Sequence, residues 1–141
     1  MAIDSIFGIA GTALNAQLTR MNTTASNLAN AGTVATTEKE AFHAKRPVFQ
    51  ALVDEQLTHA GAPYVGGVKV ERIVDDTTPA KRMHEPANPL ADDEGYVFHS
   101  NVSEVTEMVE MMAAARSYQN NVEVVNTARQ LMMRTLDITK A

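Results

Sequence analysis

The side chains of this 141-residue chain best suited to metal binding or proton transfer are four histidines, His43, His59, His84 and His99. None has the i, i+4 or short-loop spacing that brings two imidazoles onto one metal ion. The acidic run Asp92-Asp93-Glu94-Gly95 lacks the alternating oxygen ligands and the distal glutamate of a calcium loop, and reads as a charged turn before a strand. Gly66-Gly67 alone does not make a phosphate-binding loop, and no nucleophile stands in a recognisable elbow. Cysteine is absent, which removes thiol chemistry and disulfides. Lys45-Arg46 and Lys81-Arg82 are isolated basic pairs, and the net charge of −5 gives no general attraction for a polyanion. The expectation is therefore no catalytic site, no metal, no cofactor and no nucleic-acid partner.

What remains to be explained is the material between these residues, and most of it is helical. No glycine follows Gly95 and no proline follows Pro89, so a helix can run from Ser103 to Thr139, roughly 55 Å at about 1.5 Å per residue. Met111, Ala115, Tyr118, Val122, Val125, Ala128, Met132 and Leu136 recur at spacings of three and four and form one stripe. Val102, Val105, Met108 or Val109, and Met112 form a second. Near the N-terminus, Ile3, Phe7, Ala10, Leu14, Leu18, Met21, Ala25 and Leu28 follow the same spacing, which predicts a helix from Ile3 to Leu28. Between Met1 and Thr37 the only charged residues are Asp4 and Arg20. The polar face of this helix is Thr12, Asn15, Thr19, Asn22, Thr23, Ser26 and Asn27, small uncharged groups that suit either burial against hydrogen-bonding neighbours or solvent. Asn30, Ala31 and Gly32 are expected to stop the helix by a left-handed turn.

The middle differs in kind. Phe42 to Val53, Val65 to Val74 and Gly95 to His99 carry the β-branched and aromatic residues of short strands, with Pro47 confining the first to an edge. Thr33 to Glu40 reads as a linker and Thr77 to Glu94, with Pro79, Pro86 and Pro89, as extended loop. Asn101 followed by Glu104 resembles a capping box at the start of the last helix. The fold class expected is mainly α: long N- and C-terminal helices packed as an antiparallel coiled-coil-like pair, with a small β-rich middle lobe. Residues 1–32 and 101–141 would form the helical core and 33–100 the linker and lobe. The first twenty residues lack the basic start and unbroken apolar run of a cleaved signal, and no window is apolar enough to span a bilayer.

Two motifs narrow the class. Ala25-Ser26-Asn27-Leu28-Ala29-Asn30-Ala31 and Ser117-Tyr118-Gln119-Asn120-Asn121-Val122-Glu123-Val124-Val125-Asn126-Thr127 resemble the terminal motifs of bacterial flagellar axial proteins, the rod and hook subunits. Lys45-Arg46-Pro47-Val48-Phe49-Gln50, Glu85-Pro86-Ala87-Asn88-Pro89-Leu90-Ala91-Asp92 before Gly95-Tyr96-Val97, and Met132-Met133-Arg134-Thr135-Leu136-Asp137-Ile138 are similar to the proximal rod type. The resemblance implies a non-enzymatic structural subunit of the flagellar basal body, exported by the flagellar type III apparatus without a cleaved signal peptide. Its partners would be copies of itself, other rod proteins and the basal-body adaptor at the membrane ring, with no insertion into the membrane. Phe7, Leu14, Leu18, Met21, Asn27, Leu28, Asn30, Met108, Met112, Tyr118, Val122, Val125, Met132 and Leu136 are the residues expected in the assembly interfaces. Another rod or hook subunit, or a soluble helical adaptor or export chaperone, would use the same stripes.

Overall fold

The computed structural model of the chain describes residues 2–52 and 66–140. Helix α1 spans Ala2–Ala29 and helix α2 spans Glu104–Lys140. Between them lie β1 (Val34–Ala35), β2 (Lys45–Leu52), β3 (Gly67–Asp75), β4 (Lys81–His84) and β5 (Tyr96–His99). The architecture is thus two long helices around a small β middle, as the patterning implies. Val53, His59 and Val65 lie outside the described residues.

The chain divides into two compact units. One comprises residues 20–47 and 73–112. In it β1, β5 and β4 form an antiparallel sheet in that order, with Val34 opposite His99, Lys81 also opposite His99 and Met83 opposite Val97. Val97, Val102, Ala41 and Ala44 are buried, and so are Thr23, Thr24, Asn27, Ser100 and Glu107. Polar groups therefore fill much of this interior. Arg20 of α1 pairs with Glu110 of α2, while Asn27 bonds to Glu107. Rising numbers on one helix thus meet falling numbers on the other.

The other unit comprises residues 1–19, 48–72 and 113–141. Its buried apolar positions, among the described residues, are all alanine: Ala10 and Ala16 on α1, Ala114 and Ala128 on α2. Gly66 and Gly67 have positive φ of 96° and 138°, which favours glycine over residues bearing a Cβ. A Cβ on Gly67 would also stand 2.8 Å from Thr12 Oγ1. That hydroxyl donates to the Ile9 carbonyl at 2.7 Å and accepts from Val68 N at 3.2 Å, joining α1 to the start of β3.

Four local expectations are revised. Residues 33–40 are not simply a linker, because Val34 and Ala35 pair with β5. Residues 77–94 hold β4, whose four residues are all exposed; pairing to β5 rather than burial makes it a strand, so no alternation marks it. The end of α1 involves no left-handed residue. Asn30 N and Ala31 N instead bond three residues back, to the Asn27 and Leu28 carbonyls, and Asn30 Nδ2 donates to the Ser26 carbonyl at 2.8 Å. Ser103, not Asn101, starts α2: its carbonyl accepts the Glu107 amide at 2.9 Å and its side chain bonds to Thr106.

Candidate functional site

Within the unit of residues 20–47 and 73–112, the main chain of Ala44 and Lys45 is gripped by two asparagine side chains. From α1, Asn27 accepts from Lys45 N at 2.8 Å and donates to the Lys45 carbonyl at 2.9 Å, as a neighbouring strand would. Asn101, just ahead of α2, accepts from Ala44 N at 2.7 Å and donates to the Thr78 carbonyl at 2.7 Å. Its expected capping role is taken over by this tie between segments.

The Asn27 amide also donates to Glu107 Oε2 at 3.0 Å, and the other carboxylate oxygen lies 2.6 Å from an Arg46 guanidinium nitrogen. Oε1 has no directional hydrogen bond, so the contact with Arg46 is an ion pair held by charge and proximity. Glu107 and Asn27 are both fully enclosed. A buried carboxylate is tolerable when charge and donors surround it, and here α1 supplies the donor and β2 the charge. The cluster thus joins the end of α1, the start of β2 and the first turn of α2.

Outside the enclosed cluster the same strand meets carboxylates in solvent. The Lys45 ammonium, hydrogen-bonded at 2.8 Å, holds the Asp75 carboxyl below its ordinary value of 3.8. Asp76 is lowered chiefly by the hydroxyl and amide of Thr78, with Arg46 contributing less. Glu85 is lowered from 4.5 by the Asn88 amide and then by His99, 2.9 Å away. Folded values below the unfolded ones favour the ionised forms, so their stabilisation is complete above the unfolded values and is lost as pH falls through the folded ones. Amide protection at Met83 and Val97 should hold from pH 7 to about 5 and decline below about pH 4. Hydrogen exchange across that range checks it; protection that rises on acidification would contradict the assignment.

The expected interface residues fall into three groups. Asn27 is interior. Phe7, Leu14, Met21, Leu28, Asn30, Tyr118, Val125 and Met132 are half-buried. Leu18, Met108, Met112, Val122 and Leu136 are exposed, Met112 at 67%. Met108 and Met112 join Val105 and Val109 in an apolar stripe over two turns of α2, each residue more than half exposed. Among the described residues no group of three or more histidine, aspartate or glutamate side chains is placed to hold a metal ion, and no helix is long and apolar enough to cross a membrane.

Sequence reasoning missed Glu107, Arg46 and Asn101. A signal for Glu107 existed: carrying the stripe that begins at Met111 back by four residues lands on it. As one of three glutamates at the front of α2, it reads instead as a charge placed for the helix dipole. Nothing in the sequence pairs Arg46 with it across 61 residues.

A family pattern described as "Flagella basal body rod protein" matches residues 7–34, and one described as "Flagellar basal body rod FlgEFG protein C-terminal" matches residues 93–138. These segments include Asn27 and Glu107. "Flagellar basal-body rod protein FlgC" of Escherichia coli O6:H1 is 47% identical over 138 residues, covering 98% of each chain. The protein of that name from Salmonella typhimurium is 48% identical with the same coverage, and that from Buchnera aphidicola of Acyrthosiphon pisum is 42% identical over 99% of this chain and 100% of the relative. Likeness at this level from end to end carries the helices and the β middle together, and this chain belongs to the FlgC family of flagellar basal-body rod proteins.

Proposed function

We propose that the protein is a structural subunit of the flagellar basal-body rod, assembling by helix packing into the tubular shaft that transmits torque. Within the family, the observation that carries this reading is the solvent-exposed stripe Val105, Met108, Val109 and Met112. Four large apolar side chains side by side on a helix are an interaction surface left open in the single chain. Of the residues expected in assembly interfaces, Asn27 is enclosed within the chain and drops out, and the others remain proposed contacts; the two helices pack as an antiparallel coiled-coil-like pair, a sense supported by the Arg20–Glu110 and Asn27–Glu107 contacts. The subunit's work is mechanical rather than catalytic, and its domains are a helical core of residues 1–32 and 101–141 with an outer lobe between.

The partners proposed are copies of this chain, other rod proteins, the adaptor at the membrane ring and the type III export apparatus that delivers the chain without a cleaved signal. Imaging of purified basal bodies carrying a labelled copy is the test. Label confined to the rod supports the reading. Label absent from the rod, with the chain recovered as a stable soluble dimer, would favour a helical adaptor or export chaperone instead.

A further inference from the structure

We infer that the outer edge of β4 is a site of strand addition, taking a short extended segment of a neighbouring subunit that carries acidic side chains; this rests on the rod assignment proposed above. β4 ends the sheet order β1-β5-β4, and its four residues are all exposed, so nothing in the described chain covers that edge. The hydrogen bonds fix which backbone groups face out. Glu85 N donates to the Gly95 carbonyl at 2.9 Å, in step with the register that sets Met83 opposite Val97 and Lys81 opposite His99. Bonded and non-bonded positions alternate in an antiparallel pair, so Lys81, Met83 and Glu85 bond to β5, while Arg82 and His84 turn their N–H and carbonyl groups away from it. β5 agrees with this phase. Tyr96, opposite His84, donates its N–H to Asp92 Oδ1 at 2.8 Å and accepts from Asp92 N at 2.9 Å, which leaves neither group for His84. Two outward N–H and two outward carbonyl groups in one row are what a strand from another chain pairs with.

The side chains of the strand select the occupant. β4 carries Lys81, Arg82 and His84 and no acid. Arg82 lies 2.8 Å from Glu94 and 3.8 Å from Asp92, so its charge is answered within the chain. Lys81 is exposed and, among the described residues, has no carboxylate within ion-pair distance. A carboxylate directly across from it on an added strand would pair with it, whereas a cation there would be repelled. A second copy of β4 brings no acid of its own. Pro79 and Pro86 lie close on either side of the strand, so the contact spans only a few residues.

Hydrogen exchange resolved to single amides, on purified basal bodies, tests the site. A bare edge exchanges fast at Arg82 and His84 and slowly at Lys81 and Met83; with a strand added all four are slow, Arg82 and His84 by about tenfold or more against the bare edge. His84→Pro removes one outward N–H and keeps the bonds of Met83 and Glu85 to β5, and should lower incorporation by about tenfold. His84→Thr keeps the N–H while losing the ring contact with Tyr96, and should incorporate as the unaltered chain does. Lys81→Glu should lower incorporation by about three- to tenfold. Fast exchange at both Arg82 and His84 in assembled rods overturns the strand addition, as does equal incorporation of the proline and threonine variants. Full incorporation of Lys81→Glu overturns the acidic occupant. A chain absent from basal bodies defeats the rod assignment itself, and the proposal with it.

Discussion

Asn27→Leu should lower the melting temperature of the isolated subunit by about 6–12 °C, the equivalent of roughly 2–4 kcal/mol in a chain of this size. Leucine has the branching of asparagine but is bulkier, so the loss combines missing hydrogen bonds with some overpacking. It leaves the Lys45 N–H, the Lys45 carbonyl and one oxygen of Glu107 without the partner each now has. Asn27→Asp is the sharper variant. An aspartate retains the acceptor for Lys45 N, but it turns a second oxygen toward the Lys45 carbonyl and Glu107, where the amide now donates. The isosteric change should therefore be at least as damaging as leucine at neutral pH, and partly relieved in mild acid where a protonated carboxyl donates again. Thermal melts of both variants at pH 7 and pH 5 decide it; an Asn27→Asp chain as stable as the original at pH 7 would show that the amide donor contributes nothing.

Changing Met108 and Met112 together to aspartate should have the opposite profile. Both side chains are more than half exposed, so the melting curve of the subunit should shift by no more than about 0.5 kcal/mol. Assembly is another matter. Two unpaired carboxylates placed in a packed seam cost several kcal/mol, enough to reduce incorporation into basal bodies by about a hundredfold or more. A strain carrying only this variant should therefore not swim, although the protein accumulates in folded form. Normal swimming would remove the stripe from the assembly surface and with it the main support for the proposed packing.

The two helices were legible in the sequence because their signals are long and redundant. Apolar stripes at spacings of three and four placed α1 within one residue at each end, despite Gly8 and Gly11, and α2 likewise. The small β elements were legible only where β-branched and aromatic residues gather. β5, with Tyr96, Val97 and Phe98, carries such a signal; β4 and β1 do not, being specified by the strand they join. The enclosed cluster is the least legible feature. Asn27 stands in a recognisable motif, but Glu107 and Asn101 have ready local explanations as a dipole charge and a cap. Their actual partners are set by tertiary geometry that spacing does not encode.

The alanines of the second unit bear on its cohesion. Ala10, Ala16, Ala114 and Ala128 are the apolar side chains it encloses fully among the described residues, and each has a single methyl group to bury, where an enclosed leucine would contribute about 1.5–3 kcal/mol. The unit therefore gains little from fully enclosed surface and depends on half-buried side chains such as Phe7, Leu14, Tyr118 and Val125.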